Sequence, residues 1–294
     1  MNPPPGTIGI LGLGLVGQAL AARLKACGHQ VAGCDPSAAA RASAEVLGVQ
    51  LVEDAAALAQ QCDAVLICVL DDSALLSCAR ALADAPSGQL KFVLSCVTAS
   101  VQATAEAAKA VGRRADFADM PLLGSSRQIA QGEALGLLGA SARVRERWGS
   151  LLIDICPKHR HVGEQGFGVR AKLACNLVLG LNRAALAEGL ALATTLGLDG
   201  TAFLGLLRES PAYSRAVDVA GPRMVAQDFT PASRIRQHRK DLALILQQGS
   251  DAGLDLSLTA AHAALLDRAI GQGLGDLDNV AVIAAILAQA PANH

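Results

Sequence analysis

Aromatic side chains are scarce: five Phe, one Tyr and one Trp make up 2% of the 294 residues. A core cannot be organised around stacked rings, so Ala, Leu and Val must fill it, and the 52% apolar content supplies them. Charge is scarce as well. Charged residues are 17% of the chain and cancel to a net of -1, which excludes the basic footprint of a nucleic-acid binder or of a protein drawn to acidic membranes. No two of the cysteines, at 27, 34, 62, 68, 78, 96, 156 and 175, stand at C-x-x-C spacing. Free, buried thiols in a reducing cytoplasm are the expectation, not a disulfide framework or a zinc site. The opening Met1-Asn2-Pro3-Pro4-Pro5 lacks the basic segment of a secretory signal. The longest apolar stretch, Leu173–Gly197, is interrupted by Asn176, Asn182, Arg183 and Glu188, and so reads as a buried helix between domains, not a membrane span.

What is present is an alternation. Strand-like runs at Thr7–Leu11, Gln30–Cys34, Ala64–Leu70, Phe92–Cys96, Ala115–Ala118, Ala134–Leu138 and Leu151–Ile155 are separated by helical runs such as Gly17–Ala26, Ser37–Val46, Ser73–Ala83 and Val101–Ala110. Strands alternating with helices imply parallel pairing through crossovers, a doubly wound α/β sheet of the Rossmann type. Beyond about Gly163 the β-like runs stop. Ala/Leu-rich segments follow at Val169–Leu196, Thr201–Glu209, Ser214–Val225, Ser233–Ala252, Ser257–Ile270 and Leu277–Ala288. Two domains are expected, an α/β domain over 1–163 and an all-helical one over 164–294, opened by a long helix. So many apolar faces with so few charges cannot all be hidden by one small domain. A homodimer or homotetramer through Val169–Ala288 is therefore expected.

Gly12-Leu13-Gly14-Leu15-Val16-Gly17 is a G-x-G-x-x-G directly after an apolar strand and directly before a helix. Gly12 permits the tight turn, Gly14 lets a pyrophosphate reach the backbone, and Gly17 lets helix and strand pack closely. Free N–H groups and the helix dipole then favour the phosphates. Asp35 ends the second strand run and is followed by Pro36. An acidic group there accepts from ribose hydroxyls and repels a 2′-phosphate, and no arginine stands beside it, so NAD is favoured over NADP.

A second constellation opens the long helix. Lys172 and Asn176 are at i and i+4, on one face, after glycines at 163, 166 and 168. A lysine on a mostly apolar helix would be partly desolvated, moving its pKa toward the range of a proton carrier. A snorkelling lysine near a helix start has the same spacing. The residues alone leave both readings open.

Four motifs occur in order: the fingerprint at 12–17, Asp119-Met120-Pro121-Leu122-Leu123-Gly124, the run G-x-x-G-x-G-x-x-x-K-x-x-x-N from Gly163 to Asn176, and Lys240-Asp241-Leu242. Together they span the chain, which resembles the β-hydroxyacid dehydrogenase family, that of 3-hydroxyisobutyrate dehydrogenase and tartronate semialdehyde reductase. The resemblance implies that Lys172 is the catalytic lysine and that Asn176 orients the substrate. It implies a substrate loop that includes Leu123, Gly124 and Ser125. It also implies cofactor contacts from Leu70, from Cys96 in the segment Ser95-Cys96-Val97-Thr98, and from Lys240. The sequence departs from the family pattern in several places. Leu123 stands where Ser is common, Ser125 replaces a Gly, Cys96 replaces a Thr, and Ser233 stands where many relatives have Phe. Asp35-Pro36 replaces a frequent Asn-Arg pair.

The expected reaction is hydride transfer between nicotinamide and a small 3-hydroxy acid or its semialdehyde, with Lys172 handling the proton. Backbone N–H groups at Gly124 and Ser125 would bind a carboxylate. Reduction of a longer ω-semialdehyde or a sugar acid is the alternative within this chemistry. An imine reductase, which usually lacks a lysine at this position, and a non-catalytic NAD-binding protein are the alternatives outside it. Arg127 reads as a solvated surface residue. His159-Arg160-His161 has no carboxylate or Cys at matching spacing and reads as a solvated approach to the next strand, not a metal pair.

Overall fold

A computed structural model describes residues 6–288, so the residues 1–5 that carried the signal-peptide reading lie outside the described residues. The chain divides into two compact units, Met1–Lys172 and Leu173–His294.

Unit 1 begins with β1 (Thr7–Leu11), α1 (Leu15–Ala26), β2 (Gln30–Cys34), α2 (Ala38–Val46), β3 (Gln50–Leu51), α3 (Ala55–Gln61), β4 (Ala64–Ile67), α4 (Asp72–Asp84), β5 (Phe92–Ser95), α5 (Val101–Val111) and β6 (Asp116–Asp119). It continues with β7 (Leu122–Leu123), α6 (Ser126–Ala130), β8 (Leu135–Gly139), α7 (Ala142–Ile155), β9 (His159–Gly163) and the start of α8 (Phe167–Thr195). The strands form one sheet in the order β3-β2-β1-β4-β5-β6-β8-β7, with β9 added beside β8. Pairing is parallel from β3 to β6 and between β8 and β9. This is the expected Rossmann-type sheet, in which strand order reverses between β2-β1 and β4-β5.

The apolar runs form buried strands because both sheet faces are covered. Ile8, Ile10, Leu66, Phe92 and Leu94 face one side and pack with Leu20, Leu24, Trp148 and Leu152. Val65, Ile67 and Val93 face the other and pack with Leu58, Leu75, Leu82 and Ala107. Helix starts follow their capping residues. Side chains of Ser37, Asp54, Asp71, Ser100 and Ser141 each accept a backbone N–H three residues on.

In unit 1 several sequence expectations change. Leu151–Ile155 is the last turn of α7, not a strand. From the Ser141 cap, the buried positions Val144, Trp148, Leu151, Leu152 and Ile155 follow a helical repeat, which a five-residue apolar window hides. The polar segment His159–Gly163, expected as a solvated approach to a strand, is itself the strand β9. There the His159 ring meets Cys156 O at 2.7 Å and the His161 ring meets Ala140 O at 3.0 Å. Finally, β8 runs antiparallel to β6 and β7, which a short turn at Met120-Pro121 separates.

Unit 2 contains the rest of α8, then α9 (Gly200–Glu209), α10 (Arg215–Val219), α11 (Gly221–Val225), α12 (Ile235–Asp251), α13 (Ser257–Gly271), a 3-10 turn at Asn279–Ala281 and α14 (Val282–Leu287). Its described residues are helices and connecting turns, as expected, apart from one isolated bridge between Arg234 and Asp278. The single helix read over Ser214–Val225 is two, because Pro222 has no N–H to continue the ladder. At 29 residues, α8 is the one described helix long and apolar enough to cross a membrane by length and composition. Its Gly180 lets His238 approach the helix backbone, since a Cβ there would meet the imidazole. His238 in turn lies 5.2 Å from His262, ring to ring.

His262 is buried, and burial, with Arg183 nearby, holds its pKa down to about 4, against 6.5 for a free side chain. The folded state thus favours the neutral ring. The stability this contributes is full above pH 6.5 and is lost as pH falls toward 4. Thermal melts over that range should show a falling Tm, and His262→Gln should flatten the decline. An identical pH dependence in the variant would remove His262 as its cause.

Candidate active site

The turn from β1 into α1 has no room for side chains on one side and open space on the other. Gly12 has φ +92°, and a Cβ on it would lie 2.6 Å from Cys68 O. A Cβ on Gly17 would collide with Gly12 O, whereas one on Gly14 would meet nothing within 4 Å. The two clashing glycines serve the turn and the helix packing, and Gly14 leaves a surface a phosphate can approach. Gly14 is also the cap of α1 and offers no side-chain acceptor, unlike the Ser and Asp caps of α2 to α5. The N-terminus of α1 therefore keeps its dipole for an anion. Leu13 is buried beneath the turn, Val16 is half-buried, and Leu15 is 54% exposed. These residues fit a dinucleotide pyrophosphate.

Asp35, at the end of β2, accepts the Leu13 N–H on Oδ2 at 2.7 Å and the Ser37 N–H on Oδ1 at 2.8 Å. The carboxylate is thereby fixed beside the turn. The sequence shows no arginine next to it, but the fold brings one. Arg41, one turn into α2, donates from Nη1 to the carbonyls of Asp35 (2.8 Å) and Pro36 (3.0 Å). Leu70 lies past the end of β4 and is 62% exposed. Cys96, past β5, is buried and hydrogen-bonded to the Cys68 thiol. That bond, with burial, raises its pKa well above the ordinary thiol range and keeps it protonated. All eight cysteines are free thiols. Among the described residues no group of three or more His, Cys, Asp or Glu side chains is placed to hold a metal ion.

The start of α8 is tied to β6 and β7. The Asp119 carboxylate accepts the Gly166 N–H at 2.6 Å and the Val169 N–H at 2.7 Å. Burial pushes its pKa up to about 6, and the amide bonds oppose that rise. Lys172 Nζ donates to Leu122 O at 2.7 Å, next to Leu123. Gly124 takes φ +156° against Ala134. Ser125 caps α6. Its Oγ accepts the Gln128 N–H at 3.3 Å, and its own N–H donates to Gln128 Oε1 at 2.9 Å. The Ser125 amide expected to serve a carboxylate is thus engaged, together with the hydroxyl, in a capping box. Arg127 is exposed on α6.

In unit 2, Asn176 Nδ2 donates to Asp241 Oδ2 at 3.1 Å, and Lys240 Nζ pairs with Asp241 Oδ1 at 3.2 Å. The structure therefore joins Asn176 and Lys240, two predicted residues, through Asp241, which no sequence argument had given a role. Its one signal was its place beside Lys240 in the fourth motif. Ser233 spends its hydroxyl on Asn279 Nδ2 at 2.9 Å. Lys172 and Asn176 sit one turn apart on the continuous helix α8.

Residues 7–163 match the model of the NAD binding domain of 6-phosphogluconate dehydrogenase. Residues 166–286 match that of the NAD-binding region of NADP-dependent 3-hydroxyisobutyrate dehydrogenase. The chain belongs to the β-hydroxyacid dehydrogenase family. As a member it is an NAD(P)-dependent oxidoreductase. It is 29% identical to 2-hydroxy-3-oxopropionate reductase of Escherichia coli over 98% of both chains. It is 28% identical to 2-(hydroxymethyl)glutarate dehydrogenase of Eubacterium barkeri over 94% of this chain and 93% of that one. A solved 3-hydroxyisobutyrate dehydrogenase of Mycobacterium tuberculosis with L-serine superposes with a TM-score of 0.86 at 25% identity, covering 97% of this chain and 99% of that one.

For this β-hydroxyacid dehydrogenase the glycines separate two effects. Gly14→Ala should fold with little change in Tm yet lose most dinucleotide affinity by calorimetric titration. Gly17→Ala should lower stability by roughly 1–3 kcal/mol or more, since its methyl group meets backbone. Unimpaired binding by Gly14→Ala would remove the pyrophosphate from this turn.

Proposed function

We propose that the protein interconverts a small 3-hydroxy acid and its semialdehyde, with Lys172 as the general acid–base and NAD as the cofactor. The observation that carries this reading is the fixed Lys172 amine, held by Leu122 O one helical turn from Asn176. The names of three relatives share one chemistry: 2-(hydroxymethyl)glutarate, 2-hydroxy-3-oxopropionate and 3-hydroxyisobutyrate each carry the reacting carbon β to a carboxylate.

The bound dinucleotide supplies the two-electron acceptor in oxidation and the hydride donor in reduction. In oxidation the neutral amine of Lys172 takes the substrate's hydroxyl proton, and in reduction its ammonium returns that proton to the developing alkoxide. Leu122 O accepts one of the three ammonium protons, which fixes Nζ beside the proposed substrate loop. Asn176, its amide nitrogen held by Asp241, keeps the substrate in register, and Lys240 brings positive charge to cofactor and substrate. Leu123, in place of a hydroxyl donor, makes this part of the substrate wall apolar, and Gly124 lets the loop pass close against Ala134.

Asp35 favours NAD, because a carboxylate beside the ribose repels a 2′-phosphate. Arg41 is the nearby positive charge that would oppose this preference. We further propose domains over 1–163 and 164–294, a cytoplasmic location, and a homodimer or homotetramer built on the helical half. The exposed Val178, Leu179, Leu192, Leu196 and Leu206 of that half support the association.

Lys172→Ala should lower kcat by about a hundredfold or more, the usual worth of a positioned acid–base group. The measurement is NAD reduction across a hydroxy-acid panel, and near-wild-type turnover in the variant would sink the assignment. The same panel run with NADP should show weaker turnover, improved by Asp35→Asn and worsened by Arg41→Ala. A strong wild-type preference for NADP would defeat the Asp35 argument.

A further inference from the structure

Asp119 is 1% exposed at the junction of β6 and α8, and the reaction outlined above assigns it neither proton nor substrate. Its surroundings are cleared for it. A Cβ on Gly139 would lie 2.5 Å from Oδ1 and one on Gly168 2.7 Å from Oδ2. The caps of α2 to α5 come from the residue at the helix start and reach three residues along the chain. The acceptor for α8 comes instead from a strand 47 and 50 residues earlier in sequence. Its bonds to Gly166 and Val169 join helix to sheet.

Three residues beyond Asp119, the Leu122 carbonyl receives Lys172, which lies three residues beyond Val169. The same two segments are therefore joined twice. One bond would leave the first turn of α8 free to rotate or fray, as helix ends do. Two attachments set both its rotation and its height. The helix rises about 1.5 Å and turns about 100° per residue, so even a one-residue slip would carry the Lys172 amine out of line with its carbonyl. A carboxylate suits this task because each oxygen accepts one of the two amides. An asparagine of the same shape would turn an N–H₂ toward one of them.

We propose that Asp119 is a positioning residue which, by clasping the first turn of α8 to β6, sets the Lys172 amine for proton transfer. The proposal rests on Lys172 being the proton carrier. It makes no demand on which hydroxy acid is used.

The test uses Asp119→Asn and Asp119→Ser in the full-length chain, alone and combined with Lys172→Ala. Misplacing a reacting group by about 1 Å costs on the order of a hundredfold, so kcat should fall by roughly 10- to 100-fold in Asp119→Asn. The KM for the dinucleotide should stay within about threefold, since the Gly12–Gly17 turn is untouched. Added to Lys172→Ala, the same substitution should lower the residual rate by no more than about twofold, the non-additivity expected of coupled residues. A second readout needs no substrate: the labelling rate of the Lys172 amine by trinitrobenzenesulfonate, followed by peptide mass spectrometry, should differ from wild type in both variants. If the wild type turns over no hydroxy acid, the functional reading fails, and the labelling arm still decides the positioning role. Unchanged kcat, losses that simply add to those of Lys172→Ala, or wild-type labelling would each overturn the proposal. Failure of both variants to fold would overturn it too, by assigning Asp119 to stability alone.

Discussion

At the carboxyl end of β1 the backbone passes so close to its neighbours that only glycine fits. Gly12 lies against the Cys68 carbonyl, and Gly17 packs onto Gly12 itself. Much of unit 1 depends on that closeness. It lets α1 start immediately over the sheet, at the point where strand order reverses between β1 and β4. It puts the uncapped end of α1 beside Asp35, whose carboxylate reaches back to the Leu13 amide. That uncapped turn and the Asp35 carboxylate are the surface proposed above for a phosphate and a ribose, and it requires little charge from the chain.

Around the proposed proton carrier the logic is different. There the key groups are carboxylates buried beside the residues they hold. Asp119 holds the amides that begin α8, and Asp241 holds Asn176 and Lys240. Neither is free to act as an acid or base in its own right without abandoning those partners. In a low-dielectric interior such bonds are stronger than at the surface, and leaving a partner unmatched is costly. The helix α8 carries both dependent residues, Lys172 and Asn176, on one continuous stretch.

The departures from the family pattern also acquire physical content. The Ser125 hydroxyl and amide are engaged in a capping box, the Ser233 hydroxyl accepts from Asn279, and the buried Cys96 thiol is hydrogen-bonded to the Cys68 thiol. Leu123 adds an apolar side chain, so these four positions present internal hydrogen bonds or apolar surface. The proposed proton carrier Lys172 keeps its place in the motif, while the proposed substrate loop beside it has side chains of this chain's own.

The sequence alone was sufficient wherever the deciding interactions lie within a few residues. The G-x-G-x-x-G turn, the parallel strands, the helical second half and the Lys172–Asn176 face are all local patterns of period or spacing. It failed where a segment's neighbours outvote its own composition. Leu151–Ile155 looks like a strand until the Ser141 cap and the helical stripe before it are taken into account, and His159–Gly163 looks like a polar approach until β8 pairs with it. Arg41 and the Ser125 capping box are contacts within six residues, local patterns that the sequence reading passed over. Asp119 at α8 and Asp241 beside Asn176 were decided only in three dimensions, because a hydrogen bond to a residue 50 or 65 positions away leaves no periodicity in the sequence to read.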